Sequence, residues 1–165
     1  MRILVGILYC IENEFAQCIS SIKTQNYKNF EFFVIKNLPN KQAHNKLYSN
    51  FMNRASSFDL FVKVDADMIL SRNTFFDEIV EKFSNNKKLD NLEIGVYDYF
   101  TEKMIWGLHV FKNTITWSLN GDENIFVDKI QNTYHYKSDF YELAPAAFHA
   151  PNPSLFQAFH FGIHK

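Results

Sequence analysis

The sequence predicts an α/β domain, a mixed sheet flanked by helices, and three observations carry that prediction. Over the first 83 residues, apolar runs of strand length alternate with segments whose apolar positions recur every three or four residues. β-favouring residues then cluster on both sides of Thr101-Glu102-Lys103, which predicts an antiparallel pair added to a parallel core. The 165 residues, 47% hydrophobic and 21% charged, suit one folded domain and lie far from the composition of disordered chains.

The elements follow in order. Ile3 to Tyr9 is a nearly unbroken apolar run, the pattern of a strand buried on both faces of a parallel sheet. Phe15, Cys18, Ile19 and Ile22 give the next segment one apolar helical face, ending near Gln25-Asn26. Phe30 to Ile35 returns to strand character and completes a βαβ unit, which is right-handed almost without exception. Ala43, Leu47 and Phe51 then mark a helix over Lys41 to Met52, and a strand from Asp59 to Val64 stops at Asp65. Ser71 to Phe83 reads as a helix with Thr74 and Asp77 suited to its first turn. Leu92 to Phe111 is expected to hold the hairpin, and Asp122 to Ile130 a short helix after Asn120-Gly121. The last thirty residues, rich in aromatics, His and Pro, show no clear period.

Composition excludes several function classes. A formal net charge of -1 argues against a partner bound by neutralising many nucleic-acid phosphates. Two cysteines, Cys10 and Cys18, leave no disulfide framework and no four-cysteine zinc site, which fits a reducing cytosol. No segment offers the approximately 20 apolar residues of a membrane span, and the N-terminal run lacks a cleavage site. The expectation is a protein neither secreted by an ordinary signal nor integral to a membrane. Cys10 reads as a small buried hydrophobe.

The chemistry is expected at Asp65-Ala66-Asp67, directly after the apolar strand and directly before Met68-Ile69-Leu70. The triplet alone is common by chance, and its position raises it. Carboxylates at the carboxyl end of a strand in an open α/β sheet stand where ligands bind, and side chains two apart share a side of extended backbone. Such a pair can hold Mg²⁺ or Mn²⁺, which keeps its other positions for water and phosphate oxygens. The competing reading is that both acids merely cap the turn or the helix near Ser71.

With these residues in view, the first half of the chain resembles the GT-A glycosyltransferases, and glycosyltransferase family 2 in particular. The likeness runs through the tyrosine-and-acid turn Tyr9-Cys10-Ile11-Glu12-Asn13-Glu14, the pattern Cys18-Ile19-Ser20-Ser21-Ile22 with Gln25 and Tyr27, the strand Phe32-Phe33-Val34-Ile35, and the D-x-D of Asp65-Ala66-Asp67. Order and spacing agree over about residues 1 to 83.

The resemblance implies a Rossmann-like GT-A fold over residues 1–165, with a nucleotide-sugar-binding half, 1–83, and a shortened acceptor-side half, 84–165. It implies a metal-dependent transferase that moves a sugar from a nucleotide sugar to a saccharide or glycolipid hydroxyl, with inversion. Tyr9, Glu12, Asn37 and Asp65 would contact the nucleotide, while Asp65, Asp67 and His149 would ligate Mn²⁺ or Mg²⁺. Asp122 or Glu123 would be the general base, with Asp122 preferred, although acids in a first helical turn also answer the helix dipole. The family's Asp pair after the second strand is here Lys36-Asn37, so the base identity is not fixed. A lipid-linked acceptor would place the protein peripherally on the inner face of a membrane.

Other features stay open. His160 and His164 are four apart, but no paired cysteine completes a zinc site. Trp106 and Trp117 could stack on a sugar, though buried aromatics are commoner in a chain with 18 Phe. Two alternatives compete with the transferase. One is a nucleotidyltransferase, for which Gly6 alone makes no Gly-rich loop; the other is a non-catalytic nucleotide-binding module of the same fold.

Overall fold

The computed structural model describes residues 1–118, 137–141 and 144–163. The predicted alternation is realised as β1 (Ile3–Tyr9), α1 (Phe15–Lys23), β2 (Phe30–Lys36), α2 (Asn40–Asn53) and β3 (Leu60–Asp65). Then come β4 (Met68–Leu70), α3 (Phe75–Asn85), β5 (Asn91–Asp98), β6 (Lys103–Lys112), β7 (Ser138–Tyr141), β8 (Ala147–His149) and α4 (Leu155–Ile163). One mixed sheet joins the strands in the order β2-β1-β3-β6-β5-β8-β4, with β7 pairing β5. β2, β1 and β3 run parallel, and β6 enters antiparallel to β3 with Phe61 opposite Phe111.

Strand alternation sends side chains to two cores. Ile3, Val5, Ile7, Leu60, Val62 and Val64 meet Cys18 and Ile22 of α1 and Phe75, Phe76, Ile79 and Phe83 of α3. Leu4 and Phe61 face the other way, onto Leu47 and Phe51 of α2. There the rings of Phe51 and Phe61 stack at 4.8 Å, and Tyr48 stacks on Trp117, also at 4.8 Å. Trp117 is therefore core, while Trp106 keeps 42% of its surface exposed.

Residues that carried the family likeness have structural duties. Gln25 is buried, donates to Ser21 O and Arg72 O, and accepts the Phe76 amide, so it ties the end of α1 to the start of α3. Tyr27 donates its hydroxyl to Met1 O and anchors the N-terminus.

Several expectations need correction. α3 begins at Phe75, not Ser71, because Ser71 is tied to the segment before β8, its amide donating to Ala146 O at 2.9 Å and its hydroxyl to Pro145 O at 2.6 Å. Thr74 stands at the start of α3, so neither acid of the D-x-D caps that helix. The aperiodic last thirty residues hold β7, β8 and α4, each too short or too uniformly apolar to show a period. Cys10 is exposed rather than buried, whereas burial pushes the Cys18 thiol up to about 12. The expected helix over Asp122 to Ile130 and His164 lie outside the described residues.

Gly6 lets α2 close on β1: a Cβ there would collide with Leu47 Cδ1 and come within 2.9 Å of Phe51 Cζ. Both neighbours are fully buried and have nowhere to go. Gly6→Ala is expected to destabilise the fold by about 1–3 kcal/mol, read as a lowered urea midpoint with unchanged slope. A thiol-reactive dye should label one cysteine in the native chain and two after unfolding.

Candidate active site

The parallel strands β1, β2 and β3 all end on one edge of the sheet, the edge at which open α/β sheets take ligands. Leu8 is paired with Asp65, and the Ala66 amide continues the ladder by donating to Leu8 O at 2.9 Å. The Asn37 amide donates to Tyr9 O at 2.9 Å, which places Asn37 beside the end of β1. Tyr9, Glu12, Asn37 and Asp65 thus come from the ends of three neighbouring strands.

Backbone strain gathers on this rim. Ile11, Asn37 and Ala150, each just beyond a strand end, hold left-handed φ values of 62°, 53° and 48°. Left-handed backbone is costly for a β-branched residue such as Ile11, and such outliers cluster at functional sites. The Glu12 carboxylate folds back to accept the Cys10 amide. Burial, with the charges of Asp67 and Asp65 adding to it, pushes Glu12 up to about 6 despite two backbone hydrogen bonds that favour its anion.

The two acids of the D-x-D do not lie along one extended strand, because the chain turns at Ala66-Asp67 before β4. Each acquires its own partner. Asp65 accepts Lys63 Nζ at 3.1 Å, two residues earlier on the same face of β3, and that lysine is 7% exposed. Burial works against the Asp65 anion, but the charges of Lys63, His44 and His149 hold its carboxyl below the usual range.

Asp67 meets His149, which is 82 residues away in sequence. β8 runs antiparallel to β4 with His149 opposite Met68, and the Ala150 amide donates to Asp67 O at 2.9 Å. The His149 Nε2 stands 3.3 Å from Asp67 Oδ2, and its Nδ1 stands 2.7 Å from Asp98 Oδ1. Burial opposes a charged imidazole here, yet hydrogen bonds and charge from Asp67 and Asp98 raise His149 to about 9. Sequence reasoning missed Asp98, which is fully buried at the end of β5. Its only signal was an acid at a strand end, with nothing to link it to a histidine 51 positions on.

The donor set suits a hard divalent cation held in part by its ligand. Asp67 Oδ1 is buried and has no hydrogen-bond partner. Among the described residues there is no group of three or more His, Cys, Asp or Glu able to hold a metal alone. One or two carboxylates completed by substrate phosphates is the manner in which Mg²⁺ and Mn²⁺ sites are commonly built. Asp122 and Glu123, the expected bases, lie outside the described residues.

The raised His149 value sets a pH window for stability. A group whose folded value exceeds its ordinary 6.5 contributes fully below that pH and loses its contribution as pH rises through about 9. Urea unfolding near pH 6 and near pH 9.5 should show a fall of at most about 3 kcal/mol in the parent protein. In His149→Gln that fall should shrink to the smaller part that the raised Cys18 thiol and Glu12 carboxyl contribute over the same range; an equally pH-dependent variant would assign the whole fall to other groups.

No protein-family model matches the chain, and no curated protein matches it in sequence. Solved structures do match in fold. The mannosyltransferase PcManGT from Pyrobaculum calidifontis, in complex with GDP-Man and Mn²⁺, superposes with a TM-score of 0.56 at 12% identity, over 99% of this chain and 64% of that one. A197 from STIV superposes with a TM-score of 0.52 at 12% identity, over 68% of this chain and 65% of that one. The chain therefore spans just under two thirds of the length of either structure. The architecture is the α/β, Rossmann-like fold of the GT-A glycosyltransferases, as the motifs of the first 83 residues led one to expect.

Proposed function

We propose that the chain is a metal-dependent glycosyltransferase that moves a sugar from a nucleotide-sugar donor to a hydroxyl of a saccharide or glycolipid, with inversion at the anomeric carbon. The observation that carries this reading is the buried Asp67 Oδ1 without a hydrogen-bond partner, at the carboxyl edge of the parallel strands. A buried carboxylate oxygen left unpaired costs stability, and a ligand that satisfies it accounts for its retention.

In this reading residues 1–83 bind the donor and residues 84–165 serve the acceptor. Asp67, with His149 beside it, would hold Mn²⁺ or Mg²⁺ together with the donor's phosphates, and the bound cation would neutralise the charge growing on the departing diphosphate. Asn37 presents an amide that can donate and accept toward a base edge, with Tyr9 beside it. The Lys36 ammonium lies 5.8 Å from the centre of the Tyr9 ring and 5.4 Å from that of Phe15, which places a positive charge at the same corner. Glu12 fixes the turn between them through the Cys10 amide. Lys63 keeps Asp65 ionised and in place for the ribose or a cation-bound water. Asp122, or Glu123 beside it, would take the proton from the acceptor hydroxyl as the new glycosidic bond forms.

The cytoplasm, with the inner membrane face as the place of a lipid-linked acceptor, completes the proposal. Two free cysteines and the exposed Leu155, Phe156 and Phe159 of α4 support it. No helix of the described residues is long and apolar enough to cross a membrane.

A non-catalytic module that binds nucleotides on the same fold is the second reading. It is favoured by Lys36-Asn37, both exposed, where the resemblance calls for an acid pair. Isothermal titration with a panel of nucleoside diphosphates in Mn²⁺ tests both readings. Asp67→Ala should weaken binding at least about tenfold, and equal binding by variant and parent would remove the metal-site argument. Slow hydrolysis of the nucleotide sugar without acceptor would then favour the enzyme over the module.

A further inference from the structure

We propose that Asp98 is the positioning residue of His149: it grips the ring at Nδ1 and so aims Nε2 at the carboxylate of Asp67 and the ligand edge. The inference rests on the reading of His149 as a ligand in the donor site and adds the group that makes it one.

The Asp98 carboxylate is itself immobilised. Oδ2 accepts the Thr101 amide at 3.0 Å and the Thr101 hydroxyl, while Oδ1 accepts the Phe100 amide at 3.3 Å and His149 Nδ1 at 2.7 Å. The turn from β5 to β6 therefore holds the acid in place, and His149 docks on the oxygen nearer to it. The backbones are registered as well. Asp98 pairs with His149 across the parallel β5 and β8, and the Tyr99 amide donates to His149 O at 3.1 Å. Ring and strand are thus fixed together, with the Phe100 ring 6.1 Å from the imidazole.

The Thr101 donors alone do not require a buried anion, since a neutral asparagine oxygen can accept them too. What the anion adds is an acceptor at Nδ1. That keeps the Nδ1 proton in place and makes Nε2, which faces Asp67, the nitrogen that gives up its proton when a cation binds, the arrangement by which buried carboxylates orient ligating histidines. In Asp98→Asn the amide group can face the ring and force Nδ1 to accept, which leaves the ring's one proton on Nε2 and closes the ligating position.

Histidine-selective ¹⁵N labelling of the metal-free protein reads the proton on each His149 nitrogen. The parent should carry a slowly exchanging Nδ1 proton. Asp98→Asn should lose it while keeping the parent's circular dichroism, and its Mn²⁺ affinity, read by electron paramagnetic resonance, should fall about 10- to 100-fold. Thr101→Val, which removes the hydroxyl's hydrogen bond to Asp98 Oδ2 but keeps the amide's and spares the acid, should move both readouts in the same direction by less, and it decides the matter if Asp98→Asn does not fold. A parent His149 without a proton on Nδ1, or a folded Asp98→Asn that binds Mn²⁺ as the parent does, would overturn the proposal. A parent that binds no Mn²⁺ would sink the transferase reading instead, and the nitrogen signals of the metal-free protein would still decide the role of Asp98.

Discussion

An imidazole held between two carboxylates organises the functional edge of this molecule. His149 reaches Asp98 through one nitrogen and Asp67 through the other, at 2.7 Å and 3.3 Å. Asp98 is fully buried, and a buried anion is tolerated only with good partners on its oxygens. The contact also unites segments that sequence keeps far apart, the turn after β3, the end of β5 and the short β8. Loss of the imidazole would leave one buried carboxylate dependent on Thr101 and the Phe100 amide, and the other with neither oxygen satisfied by this residue.

The contact exists because the sheet changes direction. β1, β2 and β3 run parallel and deliver Tyr9, Asn37 and Asp65 to one edge. β4 then turns aside to pair with β8, which runs parallel to β5 at its far end. Asp65 and Asp67, two residues apart, are thereby given different surroundings. One is held by Lys63 on the α2 side of β3, and the other faces His149 with its second oxygen unpaired. Positive charge from Lys63 and a histidine bridge make a rim of several acids, Glu12 among them, sustainable in one small volume.

Much of this was legible in the sequence, and the limits have physical causes. β1, α1, β2, α2 and β3 were readable because each is long enough to display its period and is buried on a defined face. The D-x-D could be placed at a strand's end for the same reason. β4 and β8 have three residues each, too few for alternation to register, and α4 exposes Leu155 and Phe159 at 92% and 69%, so it has no polar face to mark it. Asp98 was invisible because its meaning lies in a partner 51 residues on, supplied by a strand that no pattern announced. Cys10 was misjudged because a free cysteine usually packs as a small hydrophobe, whereas the chain there turns outward through the left-handed Ile11. His149 was singled out by the family resemblance, and the structure sets it beside Asp67, though not against Asp65.

The measurement that bears most directly on the account is the position of manganese in a crystal of the protein soaked with Mn²⁺ and a nucleoside diphosphate. Anomalous scattering should place the ion on the Asp67 carboxylate, with diphosphate oxygens completing its shell and His149 still joined to Asp98. An ion and nucleotide bound elsewhere, with Asp67 left closed on His149, would contradict the account.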